Sequence, residues 1–108
     1  MYEIVRNEKY KGYNVYVKRV YTENMHWFCG YVEVPYEHPC FGLYSELEGA
    51  LFVHGGLTYG DTAEFADGYL LGFDCAHYGD SPEVQDEQYT LNECKRLVDQ
   101  LIEIERVE

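Results

Sequence analysis

The sequence predicts an α+β fold, in which an antiparallel β-sheet packs against one C-terminal amphipathic helix and a long connecting loop joins two of the strands. Two patterns carry this expectation: period-two alternation of β-branched and aromatic residues early in the chain, and aliphatic residues spaced by three and four at its end. Consecutive strands followed by a single helix indicate this class rather than a βαβ repeat. At 108 residues the chain is expected to form one domain, residues 1–108.

Tyr2 to Val5 reads as a short leading strand. Residues 13–21 alternate, with Tyr13, Val15 and Val17 on one face and Tyr16, Lys18 and Val20 on the other. Residues 26–34 do the same, Trp27, Cys29 and Tyr31 opposing Phe28, Val32 and Val34. Thr22, Glu23 and Asn24 between them supply turn chemistry, so the two runs are expected to form a hairpin. Pro35, Pro39, Gly42 and Gly49 mark residues 35–50 as the long connection. Residues 51–54 and 69–76 are further strand candidates, with Gly55 and Gly56 marking a sharp bend after the first. The stripe Leu91, Cys94, Leu97, Val98, Leu101, Ile102 and Ile104 predicts a helix of about 16 residues. Thr90 is its expected N-cap and Glu93 the partner in a capping box. The opposite sheet face and the long loop would remain free for a site.

The formal net charge is −12, which argues against a nucleic-acid or anionic-membrane binder, because both need Lys and Arg to neutralise phosphates. The acidity is regional: residues 41–94 contain no Lys or Arg and eleven Asp or Glu. A solubilising surface is one explanation. The sharper one is a single-sign face that steers toward a basic protein groove or mimics a polyanion. No apolar run of about 18 residues is present, and the start MYEIVRNEKYKG has no apolar signal core, so the expectation is a cytoplasmic protein with no membrane partner.

Four cysteines stand at 29, 40, 75 and 94. In a reducing compartment each is a buried small hydrophobe or a metal ligand, and Cys29 and Cys94 fall on apolar faces. Three of the four histidines sit in short motifs: His38 in YEHPC, His54 in FVHGGLTYG and His77 in GFDCAHYGD. His26 reads as ordinary surface. His77 follows Asp74 by three residues and precedes Asp80 by three, so an imidazole and two carboxylates converge at a strand end. Neutral imidazole with carboxylate is a ligand set Zn²⁺ accepts, although no CxxC or HExxH is present. A rival scheme pairs His38 with Cys40 and Cys75 with His77 into a Cys₂His₂ site, and spacing alone does not separate the two.

The segments CGY (29–31), HP (38–39), VHGGLTYG (53–60), GFDCAHYGD (72–80) and ECKRLVDQL (93–101) resemble a family of small phage and prophage proteins over roughly residues 27–101. One branch of that family includes a metal-binding inhibitor of the type II CRISPR effector nuclease. The resemblance implies a metal cluster from His38, His54, Asp74, His77 and Asp80, because the HP, HGG and D-C-A-H-x-x-D elements recur in the family while the position of Cys40 is often aliphatic. It implies a phage-type anti-CRISPR protein in the host cytoplasm, not an enzyme. Such a protein would use a Zn²⁺-stapled fold and an acidic surface to bind the effector's basic channel and block target DNA loading. The alternatives are a phage structural or regulatory protein with a fold-stabilising zinc, and a small zinc-dependent hydrolase. For the hydrolase the chain offers no separate general base or nucleophile elbow.

Overall fold

The alternating runs form the centre of a five-stranded antiparallel sheet in the computed structural model, which describes residues 1–107. The strands are β1 (Tyr2–Tyr10), β2 (Tyr13–Tyr21), β3 (His26–Val34), β4 (Tyr59–Ala63) and β5 (Ala66–Asp74), in the spatial order β1-β2-β3-β5-β4. A single helical turn, α1 (Tyr44–Leu47), interrupts the long loop, and the chain closes with α2 (Glu87–Val107).

The face assignments read from alternation hold. Tyr13, Val15 and Val17 of β2 and Phe28, Val32 and Val34 of β3 join Leu71 and Phe73 of β5 in a core with Leu91, Cys94, Leu97, Val98 and Leu101 of α2. Fully burying one such aliphatic side chain contributes about 1.5–3 kcal/mol, so this layer dominates the stability. The opposite face is not bare: Tyr16, Cys29, Tyr31 and Leu70 form a second cluster, against which Phe65, from the turn between β4 and β5, packs. The Phe65 ring meets Tyr16 and Tyr31 edge-on at 5.5 and 5.1 Å.

Several boundaries differ from those expected. β1 runs to Tyr10 rather than Val5, because an edge strand tolerates charged residues and draws its order from pairing with β2 across a two-residue turn, Lys11-Gly12. Both turn residues have positive φ, 50° and 86°, as a type I′ hairpin requires. The polar strand β4 (YGDTA) lies outside the expected elements, since its order comes from hydrogen bonding to β5 rather than from alternation. Residues 51–54 are irregular rather than a strand, although Leu51 and Val53 are buried in the main core. The strand expected over 69–76 is shifted to 66–74, and Cys75 and Ala76 lie outside it.

α2 begins earlier than the apolar stripe. Asp86 is its cap: the carboxylate accepts the Tyr89 N–H at 2.9 Å, an interaction whose loss costs about 1 kcal/mol. Thr90 instead lies inside the helix, fully buried, its hydroxyl donating to the Asp86 carbonyl at 2.8 Å. Glu93 is turned toward another partner, the backbone N–H of His54. No helix among the described residues is long and apolar enough to cross a membrane.

Candidate metal centre

The HGG segment, the loop after β5 and the first two turns of α2 meet at one end of the sheet. Gly55 and Gly56 both have positive φ, 69° and 83°, which allows the chain to reverse directly after His54. Gly55 serves a second purpose: a Cβ there would lie 2.2 Å from the His77 ring, so the missing side chain is the space that His77 fills. The two imidazoles stand 5.8 Å apart, edge to face.

Asp80 lies between them. Its two carboxylate oxygens are each 2.9 Å from His54 Nε2, and Oδ2 is 3.3 Å from His77 Nδ1. The backbone N–H of His77 also donates to Oδ2, at 2.9 Å. Burial by itself would raise the Asp80 carboxyl, but hydrogen bonds from the His54 ring and the His77 backbone, with attraction to His54, hold it below the usual carboxylate range. It is therefore ionised at neutral pH.

Two helix residues fix His54. The Tyr89 hydroxyl is 2.8 Å from His54 Nδ1, and Glu93 Oε1 accepts the His54 backbone N–H at 2.7 Å. Burial, together with Glu93, Cys75 and Asp80, pushes the Tyr89 phenol above its ordinary range, so it stays protonated. Sequence reasoning missed Tyr89 altogether and gave Glu93 a capping role. The signal available was their i, i+4 spacing, which puts both on one side of the helix.

One donor atom from each of His54, His77 and Asp80 lies within 4.8 Å of the others. Donors about 2.0–2.2 Å from a tetrahedral Zn²⁺ stand roughly 3.3–3.6 Å from one another, so these three need to part by only tenths of an ångström at their closest pair. The set of two imidazoles and an ionised carboxylate fits a divalent transition metal. Ligation through His54 Nε2 places the proton on Nδ1, where the Tyr89 oxygen accepts it, which is the tautomer-fixing arrangement of metal-bound histidines. Bound zinc would supply cross-linking of the three segments and a polarising Lewis acid. The same atoms also form a continuous His–Asp–His hydrogen-bonded chain by themselves.

Asp74 stands at the rim rather than inside. Its Oδ1 is 3.6 Å from His77 Nδ1 and accepts the Ala76 N–H, while Oδ2 accepts the Thr58 hydroxyl at 3.0 Å. It orders the loop that carries His77. His38, expected in the cluster, lies elsewhere and is 3% exposed. Its Nδ1 accepts the Cys40 N–H at 2.9 Å, so Nε2 carries the proton and donates to the Leu101 carbonyl at 2.8 Å. Neither nitrogen offers a lone pair to an ion, and His38 serves instead to strap the long loop to α2. The Cys₂His₂ alternative does not assemble either. Cys40 is buried beside His38, and the Cys75 thiol faces Thr90 at 3.7 Å. All four cysteines are buried and no disulfide joins them, and burial pushes the Cys75 thiol up to about 12.

A cavity of about 370 Å³ opens beside the cluster, walled by Met25, Trp27, Pro82 and Glu83 together with His77 and Asp80. No protein-family model, curated protein or solved structure matches this chain.

Proposed function

We propose that this chain is a small acidic interaction protein, stapled by Zn²⁺ held on His54, His77 and Asp80, that docks on a basic surface of a bacterial protein. The family resemblance names that partner as a type II CRISPR effector nuclease, whose DNA-loading channel is positively charged. The observation that carries the reading is the gathering of exposed carboxylates at the β4 edge of the sheet. Asp61 lies on β4, Glu64 in its turn into β5 and Asp67 on β5, while Glu46 comes from α1 and Glu48 from its C-cap, α1's Tyr44 packing on Gly60 of β4. All five acids are exposed. Such a field accelerates encounter with a basic partner and repels nucleic acid.

The test is DNA cleavage by purified type II effectors at graded salt, with and without this protein. Inhibition of DNA loading is expected, weakening as salt rises because exposed charge pairs are screened over about 8 Å at physiological ionic strength. Charge reversal at Glu46, Glu48, Asp61, Glu64 and Asp67 should relieve it without unfolding the protein. Full cleavage by several orthologues in excess protein would discard the partner and favour a structural or regulatory phage protein whose zinc serves the fold. A zinc-dependent hydrolase draws support from the cavity beside His77 and Asp80. Metal-dependent turnover of ester or phosphodiester substrates by the zinc-loaded protein would replace the interaction reading.

A further inference from the structure

A second cavity, of about 430 Å³, lies at the other end of β3 and β5, away from the histidine cluster, where β4 turns into β5 and the long loop begins. Its wall is an aromatic ladder. The Tyr36 ring packs on Phe41 at 5.0 Å and Phe41 on Tyr69 at 5.4 Å. The inner rung is anchored, because the Tyr69 hydroxyl accepts the Tyr44 N–H at 3.0 Å. The outer rung is not covered: Tyr36 is 80% exposed, a large apolar ring left in water by the fold.

The charged groups lining this cavity are both carboxylates, Glu33 and Asp67. The Glu33 carboxylate is turned to the opposite face of the sheet, its Oε1 accepting the Tyr16 hydroxyl at 3.0 Å and its Oε2 lying over Gly68, which leaves Asp67 as the carboxylate the groove offers. Asp67 is exposed and forms no ion pair among the described residues. Glu37 adjoins the ladder in sequence, and residues 33–94 contain no Lys or Arg.

We propose that this groove is the docking site for an arginine side chain presented by a basic segment of the partner protein. An aromatic face beside a carboxylate is what a guanidinium requires: it stacks flat on a ring through its π-system and directs its N–H groups in-plane to carboxylate oxygens. An ammonium is a compact, strongly hydrated point charge that gains less from the flat stack, so lysine is the weaker occupant. The anchored Tyr69 is set before binding, which reduces the ordering cost. This inference rests on the reading that the partner is basic, and it supplies the point at which that surface is gripped.

The experiment titrates the full chain with short fluorescent peptides: one arginine-rich, one lysine-rich of equal charge, and one proline-rich and uncharged. The arginine peptide should bind most tightly. Tyr36→Ala and Asp67→Asn should each weaken it by about tenfold, the scale of one desolvated cation–π or charge-assisted contact. Glu103→Gln, an exposed acid on α2, serves as the remote charge control and should leave binding within about twofold, as expected for a distant screened charge. Thermal melts of Tyr36→Ala and Asp67→Asn should match the wild type. Equal affinity for arginine and lysine peptides, or equal losses from Tyr36→Ala and Glu103→Gln, means diffuse attraction and overturns the groove. Preference for the proline-rich peptide overturns the arginine assignment. Arginine binding with no effect on any effector nuclease would leave the groove standing and remove only the proposed partner. Undiminished inhibition by Tyr36→Ala would do the reverse.

Discussion

His54 and His38 show how little a histidine's sequence context says about its work. Both follow a strand or loop start, both are flanked by turn residues, and both make two contacts through their rings. His38 receives a backbone N–H on one nitrogen and donates to a backbone carbonyl with the other, which consumes its whole capacity in holding the loop to α2. His54 faces a hydroxyl and a carboxylate, groups whose protons can rearrange when a cation arrives. We therefore expect His54→Ala or His77→Ala to abolish stoichiometric zinc, measured by elemental analysis of the purified protein. Cys40→Ala should retain it, and so should His38→Ala, although the latter removes a buried hydrogen-bonded group and should lower stability by about 1–3 kcal/mol. Zinc lost from Cys40→Ala would restore the Cys₂His₂ scheme.

At the scale of elements, α2 and the sheet approach each other through a gap left by glycine. Gly30 in the centre of β3 has no side chain where the Phe73 ring and the Cys94 thiol meet, and a Cβ there would lie 2.4 and 2.6 Å from them. Phe73 and Cys94 are 1% and 0% exposed, so neither can swing away. Gly30→Ala should consequently destabilise the fold by about 1–3 kcal/mol through overpacking, read as a lowered denaturant midpoint with an unchanged slope. A wild-type midpoint would show that the helix can lift from the sheet. The same helix carries Tyr89 and Glu93, so anything that displaces it also displaces His54. The helix starts ahead of its aliphatic stripe for a physical reason: Tyr89 and Thr90 already pack inward, but a phenol and a hydroxyl do not extend the aliphatic pattern. The preceding turn is polar on its outer side and is nucleated by Asp86.

Across the whole molecule, the three segments that converge on the histidine cluster are already tied to the main core through Val53 and Leu57, Cys75, and Leu91. An ion bound there in the native state alone would add its binding free energy to folding. A strong chelator should thus lower the melting temperature of the zinc-loaded protein by several degrees, on the order expected when about 1–2 kcal/mol is lost from a domain of this size. A melting curve unchanged in excess chelator would leave the cluster as a hydrogen-bonded network without a structural ion. The acidic β4 edge has a second consequence at this scale, since exposed carboxylates there oppose pairing with the edge strand of another molecule.

Alternation and helical spacing determined the central strands, the two faces of β2 and β3, the C-terminal helix and the α+β class, because each of these depends on which residues leave water. The motif histidines His54 and His77 and the carboxylate of Asp80 were likewise legible, since the glycines and the three-residue spacing are local features. Only the tertiary structure decided that His38 belongs to the loop strap and that Asp74 lies at the rim. It also decided that Tyr89 and Glu93 hold His54 and that the polar YGDTA segment becomes the sheet edge where the carboxylates collect. Those outcomes turn on hydrogen bonds between residues as many as 63 positions apart. A hydrogen bond has no periodicity for a sequence to display, and its partner is settled only when the layers pack.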